Sequence, residues 1–98
     1  MAICASTKPG TAPVLDRQAL HVPLYKVLLH NDDHNTMVHV VKALMRVFRF
    51  DQRRCEKIML EAHDQGVALC AIEPLEQAEL HRDLLRSFSL IVTIKAAE

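Results

Sequence analysis

The stretch from Leu28 to Met37, LLHNDDHNTM, ends an apolar run abruptly in one amide and two carboxylates, Asn31, Asp32 and Asp33, just before a helical pattern begins. Farther along, IMLEAHDQG from Ile58 to Gly66 carries His63 on a second helical pattern whose other face is apolar. Carboxylates, an amide and an imidazole beside an apolar surface are what is needed to hold an ammonium joined to a hydrophobic side chain. An N-terminal Leu or Phe residue is such a ligand. The α-amino group of a chain, with a pKa of about 7.7 to 8.0, is mostly an ammonium with three N–H donors at neutral pH. Asn31 can offer a carbonyl oxygen, Asp32 or Asp33 a carboxylate, and a neutral His63 a ring nitrogen, one acceptor for each donor.

These groups need elements to position them. Leu24 to His30 is aliphatic and of strand length, with Tyr25 and Lys26 its exceptions, and is read as the first strand. From Met37 to Phe48 apolar residues recur at intervals of three and four, the spacing of a helix with one buried face, and Asn35 or Thr36 can cap its start. Asp51 caps a second helix that Gly66 ends. Val67 to Ile72 is a short apolar strand, and Pro74 suits the first turn of a third helix running from Leu75 to about Arg86. Leu90 to Ile94, rich in β-branched residues, is a last strand. The order β-α-α-β-α-β predicts an α+β two-layer sandwich: a three-stranded antiparallel sheet with three helices covering one side. Met1 to Pro23, polar and proline-containing without sustained period, is expected to be a flexible N-terminal extension, leaving 24–98 as the core domain.

Composition narrows the classes. Ninety-eight residues give one domain at most, and no apolar run is long enough to cross a bilayer. Twelve basic side chains balance twelve acidic ones, so nucleic acid and membrane surfaces are not expected partners. Cys4, Cys55 and Cys70 are odd in number and lack CxxC spacing, and the N-terminus has no secretory pattern. Three free thiols, a reducing cytoplasmic setting and a monomer are expected. Cys55 and Cys70 fall on apolar faces, where a buried thiol is the expected role.

The motifs together resemble the ClpS adaptors. That family carries a YKV strand, an NDD turn, a Met at the next helix start, then ML followed by a His and a Gly. Here these are Tyr25-Lys26-Val27, Asn31-Asp32-Asp33, Met37, Met59-Leu60, His63 and Gly66, in a resemblance running from about Tyr25 to Lys95. It implies a protein that is not an enzyme and needs no cofactor. Such an adaptor binds substrates with a bulky hydrophobic N-terminal residue (an N-degron, mainly Phe, Leu, Tyr or Trp) and delivers them to a Clp-family AAA+ unfoldase for degradation. By the same resemblance Asn31, Asp32 and His63 hold the α-amine with Asp33 nearby. Asn35, Met37, Val40, Met59, Ala62 and Leu90 line the side-chain pocket, with Met37 as a gate. His34, Glu76 and His81 map to unfoldase contacts, and the extension before Pro23 to the segment that engages the unfoldase during delivery. Three departures stand out. His34-Asn35-Thr36 replaces the usual Tyr-Thr-Pro, Ala62 stands where Val is common, and His81 where Lys is common.

Other readings compete. Asn and Asp in NDD could merely close a turn and cap a helix, and His63 could be an ordinary surface residue. A metal site could draw on His30, Asp32, Asp33, His34 and His39, although CxxC and HExxH spacings are missing and no metal is expected. A ClpS-like regulator of the unfoldase without N-degron binding is a further alternative. A His-carboxylate hydrolase lacks a Ser or Cys in any elbow-like context.

Overall fold

The computed structural model describes residues 22–97. The expected flexible extension lies outside the described residues apart from Val22 and Pro23, as does Cys4. The elements run β1 (Leu24–His30), α1 (Met37–Phe48), α2 (Gln52–Gln65), β2 (Val67–Pro74), α3 (Leu75–Ser87) and β3 (Val92–Ala96). They form the expected α+β sandwich. The sheet is antiparallel in the order β2-β1-β3, so the first strand is central.

One face of the sheet is covered. Val27 and Leu29 of β1, Ala68 and Cys70 of β2 and Val92 of β3 are buried, while Lys26, Leu28 and His30 alternate with them on the other face. Helix α2 packs on β2, α3 lies across all three strands, and α1 packs on α2 and α3, closing the layer with fully buried Leu44.

The helix ends follow from local chemistry. Thr36 Oγ1 accepts from the His39 N–H at 3.1 Å and Asp51 Oδ1 from the Arg54 N–H at 2.8 Å, satisfying amides that the first turns leave without partners. Arg49 takes the left-handed conformation (φ 61°) after α1, and Gly66 (φ 88°) after α2.

The structure departs from the sequence expectation at three points. Pro74 ends β2 opposite Leu24 instead of opening α3, because its ψ of 154° is extended. The last strand starts at Val92, not Leu90, since Ser89 is left-handed (φ 69°) and Leu90 turns inward before Val92 comes opposite Leu29. On β2 the register slips, so that Cys70 and Ala71 together oppose Val27, a bulge that keeps Cys70 in the core.

A stack fastens the far corner. The Arg54 guanidinium lies 3.7 Å from the centre of the Phe50 ring, which stacks on Phe48 at 5.0 Å. Phe48 meets the His81 ring at 4.7 Å, and His81 Nδ1 lies 2.6 Å from Glu73 Oε1. This chain joins the α1–α2 corner to α3 and β2. Among the described residues no helix is long and apolar enough to cross a membrane.

Two outcomes test this description. Burial pushes the Cys70 thiol up to about 12, and burial followed by the Asp51 charge raises Cys55 against a lowering by Arg54. Both therefore stay protonated at mildly alkaline pH, where the thiolate is the reactive form. Peptide mass spectrometry after iodoacetamide treatment should find Cys55 and Cys70 unmodified in native protein and alkylated in denaturant; equal labelling in both states would contradict their burial. For Gly66, a Cβ would meet nothing within 4 Å, so Gly66→Ala should cost only the backbone term. That is about 1 to 2 kcal/mol, measured by urea unfolding; no loss of stability would show that the left-handed turn relaxes.

Candidate functional site

The site grows from the end of the central strand. Where β1 stops, the His30 N–H donates to the Ile91 carbonyl at 2.9 Å and the Asn31 N–H to the Gly66 carbonyl at 3.0 Å. The first bond brings in the segment that carries Leu90. The second brings in the end of α2, whose last turn carries His63. The NDD turn is thus held between the two segments that must face it.

The turn itself is fixed by Asp32. Its Oδ1 accepts from the His34 N–H at 2.7 Å, and its Oδ2 from Asn35 Nδ2 at 2.6 Å. A carboxylate oxygen can accept more than one hydrogen bond, so the group is oriented and still able to receive a ligand's N–H. Thr36 then caps α1 and Met37 begins it.

A cavity of about 200 Å³ opens here. Asn31, Asp32, Asp33 and His63 line it together with Asn35, Met37, Val40, Met59, Ala62 and Leu90. Every residue assigned from the sequence to amine or side-chain contact is therefore at one place. Asn31, Asp33 and His63 are exposed and Met37 is 48 % exposed, whereas Val40, Ala62 and Leu90 are buried. The rim is polar with two carboxylates, and the floor is apolar. Such an arrangement can take a cationic head at the surface and an apolar group beneath it.

Two further lining residues, Leu29 and His30, were not assigned to the pocket from the sequence, where His30 was weighed only as a metal ligand. Strand alternation would have placed Leu29 on the helix-facing side with Val27. The His30 ring is bonded through Nε2 to Thr93 Oγ1 at 2.8 Å.

None of the residues mapped to partner contacts, His34, Glu76 and His81, lines the cavity, although His34 belongs to the turn that forms its rim. His34 and Glu76 are exposed, but His81 is engaged by Glu73 and Phe48, with 20 % of its side chain exposed. The histidines considered for a metal are dispersed. His30 bonds Thr93, and His39 Nε2 bonds the Phe88 carbonyl at 2.7 Å. Among the described residues no group of three His, Cys, Asp or Glu is placed to hold a metal ion.

Three larger depressions lack this combination of groups; the first, of about 610 Å³, lies at His39, Lys42, Met45, Arg46 and Phe88. A second, of about 760 Å³ on α2, is lined mainly by charges of both signs, including Arg53, Arg54, Glu56 and Glu61. Another, of about 440 Å³ between α1 and α2, is mostly apolar and shares Met37 and Met59 with the site.

Comparison with known proteins agrees with this geometry. The family model for the ATP-dependent Clp protease adaptor protein ClpS matches residues 21–93. An ATP-dependent Clp protease adapter protein ClpS from Gloeobacter violaceus is 45 % identical over 73 residues, covering 74 % of this chain and 78 % of its own. One from a Synechococcus strain is 39 % identical over 92 residues, covering 89 % and 88 %. The structure of Agrobacterium tumefaciens ClpS2 bound to L-phenylalaninamide matches with a TM-score of 0.74 at 28 % identity, over 78 % of this chain and 99 % of that one. The chain belongs to the ClpS family, whose members are adaptors of the Clp protease and not enzymes.

Proposed function

We propose that this adaptor captures proteins whose first residue is bulky and hydrophobic, holding the free α-amine at Asn31, Asp32 and His63 with Asp33 nearby. The observation that carries the reading is the single cavity in which those polar groups ring an apolar floor. At about 200 Å³ it falls below the usual range for drug-sized ligands and suits one side chain. The Agrobacterium relative supports the reading, because its ligand, L-phenylalaninamide, has the free amine and phenyl group of an N-terminal Phe.

The energetics are consistent with a one-residue ligand. Charge-assisted hydrogen bonds contribute about 1.5 to 3 kcal/mol each and burial of Leu or Phe about as much again. Ordering and desolvation offset part of this, leaving low-micromolar affinity, near about −8 kcal/mol, as a ceiling. Met37 at the mouth can fold its thioether around flat or γ-branched side chains and crowd those branched at Cβ. Ile and Val are therefore disfavoured.

Capture would be followed by delivery to a Clp-family AAA+ unfoldase. Exposed His34 and Glu76 are available for that contact, whereas His81 offers only an edge. In this reading residues 24–98 form the capturing core, residues 1–23 act in delivery, and the adaptor works as a cytoplasmic monomer.

Fluorescence anisotropy with peptides differing only in their first residue, each with a free or acetylated N-terminus, tests the proposal. Peptides beginning with Phe, Leu, Tyr or Trp should bind in the micromolar range and lose binding on acetylation. Equal affinity for acetylated peptides would overturn it. Asp32→Ala should weaken binding by about ten- to a hundredfold while leaving the unfolding midpoint near wild type. Unchanged affinity in that variant would place the amine elsewhere.

A further inference from the structure

We infer that Asn35 and His39 are positioning residues that clamp the Phe88–Leu90 loop to the amine acceptor Asp32, and so set which first side chains the cavity accepts. The inference rests on the reading of the cavity as an N-terminal residue site, and deepens it.

The clamp has two points. Asn35 Nδ2 donates to Asp32 Oδ2 at 2.6 Å and to the Ser89 carbonyl at 2.8 Å. Both of its N–H groups are thereby engaged. The opposite amide orientation would set an oxygen against a carboxylate and a carbonyl, so the donor assignment is forced by chemistry. Four residues along, on the same side of the α1 start, His39 Nε2 lies 2.7 Å from the Phe88 carbonyl. A carbonyl only accepts, so Nε2 carries the hydrogen. The His39 and Phe88 rings also meet edge to face, with centroids 6.4 Å apart.

The segment held in this way is a helix C-terminus, in which the Ser89 N–H donates to the Arg86 carbonyl at 2.9 Å and the Leu90 N–H to the Leu85 carbonyl, the paired bonds of a Schellman turn. Ser89 is left-handed at φ 69°, a conformation disfavoured for any residue with a Cβ. The next residue, Leu90, is 4 % exposed and forms part of the cavity floor, and its own N–H reaches the Leu85 carbonyl at a long 3.3 Å. Two consecutive carbonyls, Phe88 and Ser89, are thus gripped just before the floor residue. Because the same Asn35 amide also grips Asp32, it adds to the His30–Ile91 backbone bond a direct side-chain tie between amine acceptor and floor. A fixed distance discriminates between ligand side chains by length, whereas a slack one tolerates several.

The test uses the full chain with peptides beginning Phe, Leu, Trp and Ala. Asn35→Asp keeps the size but removes both donors; His39→Ala removes the second grip, and His39→Gln offers a replacement N–H. Asn35→Asp and His39→Ala should compress the affinity ratio between the best bulky residue and Ala by about three- to tenfold, and His39→Gln should restore part of it. Hydrogen exchange at the Leu90 amide should accelerate in Asn35→Asp and His39→Ala relative to wild type and to Asp51→Ala, a variant weakened at a distant helix cap. An unchanged ranking, or an equal loss for every peptide, would overturn the inference. If the wild-type protein bound no peptide, the capture reading would fall, and unchanged Leu90 exchange in the variants would separately remove the clamp.

Discussion

Pairing of the first strand at both edges is the constraint from which the rest of the structure follows. Leu29 lies opposite Ala68 on one side and Val92 on the other, so the chain must return twice from far along its length before β1 is complete. Each return passes through helices, and these all pack on one face of the sheet. The strand has no further ladder to make beyond His30, and its next two backbone donations, to Ile91 and Gly66, tie the flanking segments to the turn. Site and sheet are therefore one construction. The turn that ends the ladder is also the turn that presents the carboxylates.

The site's polar half is organised before any ligand arrives. Asp32 already receives two hydrogen bonds, one from the backbone of its own turn and one from Asn35, so little orientational freedom is left to lose on binding. Its apolar half consists of residues that also belong to the core, Val40, Ala62 and Leu90 among them. A side chain entering the cavity would continue the packing of the domain instead of resting on its surface. Shared use of these residues explains how a small protein can form such a cavity without a separate scaffold for it.

Much of this was legible in the sequence because it is written in short-range terms. The Thr36 and Asp51 caps, the Gly66 stop and the three-and-four spacing of α1 each depend on neighbouring residues alone. The set of cavity residues was reached through motif order, with Gly66 marking the end of the helix that holds His63. Contacts between distant segments were not legible. The choice between Asn35 and Thr36 as cap is settled only when Asn35 finds Ser89, fifty-four positions away. His39 gave no sign of the Phe88 carbonyl, nor His81 of Glu73 and Phe48, because an exposed and a committed imidazole look alike in sequence. The bulge at Cys70 and the inward turn of Leu90 likewise depend on where the partner strand lies.

Central placement of β1 also fixes where the two ends of that strand point. Its last residues open into the cavity, while its first, Leu24, pairs with Pro74 and accepts from the Ala97 N–H at the opposite margin of the sheet. At about 3.3 Å per residue the seven-residue strand separates the two by roughly 20 Å. The segment preceding Leu24 therefore joins the core a full strand length from the cavity. A large partner pulling on that segment would load the sheet along its middle strand, in line with its long axis, and the ladder on both edges would share the force.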